Sequence, residues 1–213
     1  MPADRIHFIR HGEVHNPDGI LYGRLPNFAL SERGVAMAKL AAQDLKDQGR
    51  QVRAVFASPL QRTRESAKPF KEIFGLDAMV DERLIEPHNI FEGKVLSASK
   101  ILLQPGVWFH LRNPSKPSWG EPFVSIANRM EAAALEAFDS VASGDVVLVS
   151  HQAPIAVLHL LATGQKLVLK PRGRRCDLSS ITSFDRVNGK LVEVDYRDPA
   201  KQLRDGAIDV GAV

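Results

Sequence analysis

The stretch Arg5-Ile6-His7-Phe8-Ile9-Arg10-His11-Gly12-Glu13 decides how this chain reads. Ile6, Phe8 and Ile9 surround a single histidine in the manner of a strand, and the polar cluster from Arg10 to Glu13 marks where the strand ends. Two later runs repeat that design. Arg53 to Ala57 is followed by Ser58-Pro59-Leu60-Gln61-Arg62, and Asp145 to Val149 by Ser150-His151-Gln152-Ala153-Pro154. Longer helix-periodic segments lie between and after them, at Ser31 to Lys46, Pro59 to Phe74, Pro122 to Ala142 and Pro154 to Leu161. The alternation predicts an α/β fold of three layers, a mostly parallel central sheet with helices on both faces. Ser31 and Ser58 are expected N-caps, and Pro59, Pro122 and Pro154 suit a first helical turn, where a missing N–H costs nothing. Asn188-Gly189 between Ile181 to Val187 and Leu191 to Tyr196 predicts a hairpin, and the chain after Pro199 is expected to be a surface tail.

Working outward, 213 residues with 44% hydrophobic content suffice for one sizeable core, so 1–213 is read as a single domain. The least regular part, 94–121, holds three prolines and the aromatics Trp108, Phe109 and Trp119 among basic residues. It is expected to be a substrate-specificity insertion or lid; a loop packed over the sheet edge is the alternative. A net charge of +3 and a pI near 9.1 reflect cations spread along the chain, which does not point to nucleic acid. Cys176 is the sole cysteine, so neither an internal disulfide nor a cysteine-based metal cluster can form. The opening Met1-Pro2-Ala3-Asp4-Arg5 has no signal-peptide h-region, and no run approaches the roughly 18 apolar residues of a membrane span. A cytoplasmic protein with no membrane partner is expected.

In open α/β sheets ligands bind beyond the carboxyl ends of the strands, so the three polar clusters locate the site. Their residue types fit phosphoryl transfer, which needs a nucleophile, cations around the non-bridging oxygens and an acid for the leaving group. Arg10 and Arg62 carry guanidinium forks that match phosphate geometry. His11 and His151 supply imidazoles, and Gln152 opens a helix whose N-terminus attracts anions. Cations nearby are expected to keep His11 neutral and able to attack, and Gly12 to let the backbone approach the ligand. Each residue also has an ordinary reading as a strand terminus or solvated side chain. The coincidence of Arg-His-Gly, a second arginine and a second histidine at three strand ends favours the chemical one.

At these residues the sequence resembles the histidine phosphatase superfamily, the phosphoglycerate-mutase-like proteins. Phe8-Ile9-Arg10-His11-Gly12-Glu13 is similar to its signature, Ser58-Pro59-Leu60-Gln61-Arg62-Thr63 with Ser66-Ala67 to its second motif, and Val149-Ser150-His151 to its third; Leu30-Ser31-Glu32-Arg33-Gly34 also fits. The resemblance implies a phosphohistidine on His11 and phosphoryl binding by Arg10, Arg62, His151, Gln152 and Gly23. It places the proton donor on Glu86, within Leu84-Ile85-Glu86, with Glu13 as the second candidate. It implies no metal and no cofactor, and a small phosphomonoester as substrate. Asn16 stands one position closer to Glu13 than the family's usual asparagine, and Gln152 replaces a common glycine. Trp119-Gly120-Glu121 resembles the family's Gly-Glu element before a helix carrying Arg129.

The remaining histidines, His7, His15, His88, His110 and His159, show no metal-ligand spacing and are read as structural. The basic group Lys166, Lys170, Arg172, Arg174 and Arg175 reads as a solvated loop, or as an aid to an anionic ligand. Hydrolysis is favoured over a cofactor-dependent phosphoglycerate mutase, because Gln152-Ala153-Pro154 replaces the mutase Asn-Ser and the insertion is shorter. A non-catalytic phospholigand-binding protein is the third reading, and it has no need for both nucleophile and acid. The sequence leaves the oligomeric state and the physiological substrate open.

Overall fold

The computed structural model describes residues 2–95, 120–168 and 175–209. Its elements run β1 (Arg5–Arg10), α1 (Glu32–Asp47), β2 (Val52–Ala57), α2 (Gln61–Phe74), β3 (Met79–Val80), α3 (Phe123–Asp139), β4 (Asp145–Ser150), α4 (Gln152–Ala162), β5 (Ile181–Val187) and β6 (Lys190–Arg197), with 3-10 turns at Glu82–Leu84 and Lys201–Leu203. They form one six-stranded sheet in the order β3-β2-β4-β1-β5-β6. The pairs β3-β2, β2-β4 and β4-β1 are parallel, and β1-β5 and β5-β6 are antiparallel. The mostly parallel sheet is therefore present, closed on one side by the hairpin at Asn188 (φ 51) and Gly189 (φ 76), whose two positive φ angles suit its tight turn.

Alternation along the strands divides the core between the two faces. Ile6, Phe8, Val146 and Leu148 pack with Ile126, Met130, Ile155 and Leu158 of α3 and α4, while Ile9, Val147 and Val149 pack with Ala41, Leu45 and Phe70 of α1 and α2. Phe8 meets Phe184 edge to face at 5.9 Å, a pair worth about 0.5–1.5 kcal/mol beyond its buried area. Because β1 and β4 are central and parallel, their carboxyl ends lie side by side, with Arg10 paired to Ser150. The polar residues that follow each strand are thereby delivered to one edge of the sheet.

Local signals succeeded where the side chain had no better partner. Ser31 caps α1, its hydroxyl accepting from Gly34 N at 3.0 Å. Ser58 does not cap α2, which starts at Gln61 with Leu60 before it; the serine hydroxyl is taken by His151 instead. Helix α4 begins at Gln152 rather than Pro154, leaving the proline inside the first turn, and α3 ends at Asp139, short of Ala142. His7 is a satisfied sheet residue, as expected, bonded to Ser183 Oγ at 2.8 Å and Asp145 Oδ2 at 3.3 Å. The chain after Pro199 is not a free surface tail: Ala200 is buried and Asp209 reaches Arg10. Most of the 94–121 segment, and Lys170, Arg172 and Arg174, lie outside the described residues. Among the described residues no helix is long and apolar enough to cross a membrane.

Candidate active site

Five side chains that the sequence singles out, Arg10, His11, Arg62, Glu86 and His151, are all buried and arrive from different elements. Arg10 ends β1 and His11 follows it; His151 follows β4; Arg62 lies in the first turn of α2; Glu86 stands just after the 3-10 turn at Glu82–Leu84. The rings of His11 and His151 lie 5.3 Å apart.

His11 Nδ1 is 2.8 Å from its neighbour's carbonyl, Gly12 O. A carbonyl can only accept, so Nδ1 carries the proton and a neutral ring keeps its lone pair on Nε2. The ring is held neutral. Burial depresses the His11 pKa well below the ordinary histidine value, and the charges of Arg62 and then Arg10 depress it further. Desolvation is the largest single cause, and the expected effect of neighbouring cations adds to it. His151 is depressed in the same way, by burial first and Arg62 second. Its Nε2 meets Ser58 Oγ at 2.8 Å, and its Nδ1 is buried with no partner among the described residues.

Both arginines are anchored by a backbone carbonyl. Arg10 Nη1 donates to Cys176 O at 2.8 Å, and Arg62 Nη2 to Gly23 O at 2.7 Å. The Arg62 guanidinium stacks 4.7 Å from the Tyr22 ring. The Nε of each is buried without a partner among the described residues. Unpartnered buried donors are costly, and two arginine Nε groups and His151 Nδ1 flanking one neutral imidazole form the setting an anion would complete.

Glu86 is carried on a fastened segment. Ser150 Oγ donates to Leu84 O at 2.7 Å, Arg24 Nε to Glu86 O at 2.6 Å, and Arg129 Nη1 to Arg83 O at 2.5 Å. The Glu86 charge acts on both Arg62 and Tyr22. Arg129 also takes Glu121 in a two-pronged ion pair at 2.9 Å. Glu13, the second candidate acid, is committed elsewhere: it accepts from Ser31 Oγ at 2.5 Å, Arg33 Nη1 at 3.4 Å and Ile208 N at 2.8 Å.

Some sequence expectations take a different form in space. Gly12 is required by packing, since a Cβ there would meet Gly34 O at 2.2 Å. Gly23 (φ +38) joins the site through its carbonyl on Arg62. Gln152 opens α4, its side chain 3.5 Å from Cys176 O. Asn16 closes its own loop on Ile20 instead of reaching the site. Tyr22, Ser58 and Asp209 were not legible as site residues, because each acts through a partner distant in sequence. Among the described residues, no group of three His, Cys, Asp or Glu side chains is placed to hold a metal ion.

The model of the histidine phosphatase superfamily (branch 1) matches residues 6–199. The chain belongs to that superfamily. The chain is 48% identical over 202 residues to the uncharacterised protein Rv0525 of Mycobacterium tuberculosis, covering 94% of this chain and 99% of that one. It is 30% identical over 196 residues to phosphoserine phosphatase 1 of Hydrogenobacter thermophilus, covering 89% of this chain and 86% of the relative. Among solved structures, the mycobacterial glucosyl-3-phosphoglycerate phosphatase superposes with a TM-score of 0.68 at 25% identity, covering 92% of this chain and 98% of that one.

Proposed function

We propose that this chain hydrolyses small phosphomonoesters through a phosphohistidine on His11. The observation that carries the reading is the His11 Nδ1 bond to Gly12 O, which leaves Nε2 as the free nitrogen of a buried, neutral ring. In the first step the Nε2 lone pair forms a bond to phosphorus, the ester P–O bond breaks, and Glu86 gives its proton to the departing oxygen. In the second, water attacks phosphorus, its proton passes to the Glu86 carboxylate, and the N–P bond breaks to release inorganic phosphate and neutral His11. Arg10 and Arg62 stabilise the equatorial oxygens throughout. With the Ser58 hydroxyl donating to Nε2 of His151, that ring directs an Nδ1 proton at the same group. The commitments of Glu13 favour Glu86 as the acid. The phosphatase names of the relatives favour hydrolysis, and they favour small phosphorylated metabolites as the substrate class.

The test is to trap the intermediate. Mixing the protein with 32P-labelled phosphomonoesters should give an acid-labile, alkali-stable phosphoenzyme and release inorganic phosphate, and His11→Ala should lose both. A phosphoenzyme that survives in His11→Ala overturns the assignment of the nucleophile.

A further inference from the structure

The chain beyond Pro199 turns back across the molecule. Ala200 is fully buried with Met37 and Leu178, and Leu203 and Ala207 pack against them. Arg204 pairs with Asp177 at 2.5 Å and Asp198 at 3.1 Å, and Ile208 N donates to Glu13 Oε1 at 2.8 Å. This route brings Asp209 to Arg10, 199 positions away in sequence: Nη1 donates to Oδ2 at 2.8 Å and Nη2 to Oδ1 at 2.5 Å.

Counting donors shows which edge of the guanidinium the aspartate uses. A guanidinium has five N–H groups arranged as two forks, one across Nη1 and Nη2 and one across Nε and Nη2. Nη1 spends its two hydrogens on Cys176 O and Asp209, and Nη2 gives one to Asp209. Nε has no partner among the described residues. Asp209 therefore grips one fork and leaves the other. A carboxylate imitating substrate would take the open fork.

We propose that Asp209 is a positioning residue, which holds Arg10 by its Nη1 and Nη2 edge so that the Nε and Nη2 edge is presented to the phosphoryl group beside His11. The inference rests on the phosphatase reading. Arginine has a long, rotamer-rich side chain, and a fork aimed in advance avoids an ordering cost when the phosphoryl group binds. The two-pronged bond fixes the plane of the guanidinium as well as its position. A carboxylate only partly exposed also balances a buried charge that the protein would otherwise bear alone.

The experiment compares Asp209→Ala, Asp209→Asn and Asp209→Glu with the unaltered protein. It reads kcat and KM for p-nitrophenyl phosphate, the inhibition constant of inorganic phosphate, and thermal unfolding. Asp205→Ala, an exposed carboxylate of the same tail, is the control. Asp209→Ala should lower kcat/KM by on the order of 10- to 100-fold, the usual cost of misplacing a group in the site, and weaken phosphate inhibition in parallel. Asp209→Glu should recover part of both, and Asp209→Asn, isosteric and still able to accept one bond, should fall between. Tighter phosphate binding and faster turnover in Asp209→Ala would show that the carboxylate competes with substrate, and would overturn the proposal. A lower unfolding temperature with unchanged kcat/KM and phosphate inhibition would reduce Asp209 to a fastening of the tail. Absence of a phosphoenzyme in the unaltered protein would count against the phosphatase reading instead, while the phosphate inhibition series would still report on Arg10.

Discussion

Arg10 and Arg62 are each 1% exposed and both flank His11, yet they are held by opposite means. Arg10 closes on a carboxylate. Burial lowers its pKa, but the charge and hydrogen bonds of Asp209 more than offset this and leave it raised. Arg62 has neutral anchors, the Gly23 carbonyl and the Tyr22 ring. Burial dominates there, and its pKa is lowered, with Tyr22 and then Glu86 only partly compensating. One corner of the site is electrically balanced by the fold. The other is left wanting negative charge, which a phosphoryl group would supply. On the proposed function the balanced cation would fix geometry and the unbalanced one would draw the anion; Arg62 also depresses the neighbouring histidines more than Arg10 does.

The sharpest way to break this contrast is at Glu86, the carboxylate on the Arg62 side. If it works as an acid, Glu86→Gln should slow alkyl phosphates by on the order of 10²–10⁴. Aryl esters, whose leaving groups depart as stabilised anions, should suffer much less. The quantity to measure is the ratio of alkyl to aryl turnover; an equal loss on both would make Glu86 merely the counter-charge of Arg62.

Stability should then separate the arginines. Arg10→Met leaves Cys176 O and the Asp209 carboxylate without their guanidinium, and should cost the ligand-free protein about 1–3 kcal/mol. Arg62→Met removes an incompletely compensated buried charge, and should leave stability within about 1 kcal/mol of the starting protein or above it. Urea unfolding of both variants decides, and the reverse ranking would refute the contrast.

A smaller effect concerns pH. His11 and His151 are neutral in the fold with depressed pKa values, so the unfolded chain takes up protons below the ordinary value of 6.5 that the folded protein refuses. Their contribution is present above that pH and is lost as the pH falls below it, by up to about 1.4 kcal/mol per pH unit for each proton. His7, also depressed by burial, adds in the same direction. Arg62 depresses both site histidines more than Arg10 does. Arg62→Met should therefore flatten the pH dependence more than Arg10→Met, as measured by chemical unfolding between about pH 5 and 7. The smallest expected effect is none at all: if arginines rather than a metal supply the positive charge, as proposed, turnover should survive EDTA. Loss of activity restored by a divalent ion would sink the mechanism.

Arg10, His11, Arg62 and His151 were legible in the sequence because each stands at the end of a strand or in the helical turn just after one. Parallel strands bring their carboxyl ends together without further instruction. The Ser31 cap and the Asn188-Gly189 hairpin were legible for a related reason, since both depend only on bonds within a few residues. Ser58 carries the same cap chemistry as Ser31, but the buried histidine just after β4 outcompetes the helix for its hydroxyl. Gly12 reads alike whether a ligand or a helix approaches it, and only the position of Gly34 decides. Tyr22 and Asp209 carry no local pattern at all. Their places follow from long-range closure, in which a tail is fixed by the burial of Ala200 and the pairing of Arg204 until its aspartate meets a strand formed by the first ten residues. Sequence by itself determined which residues could bind and attack a phosphoryl group. Tertiary structure decided which edge of Arg10 is left open, because hydrogen-bond donors are allotted among groups that come together only when the sheet and the tail are in place.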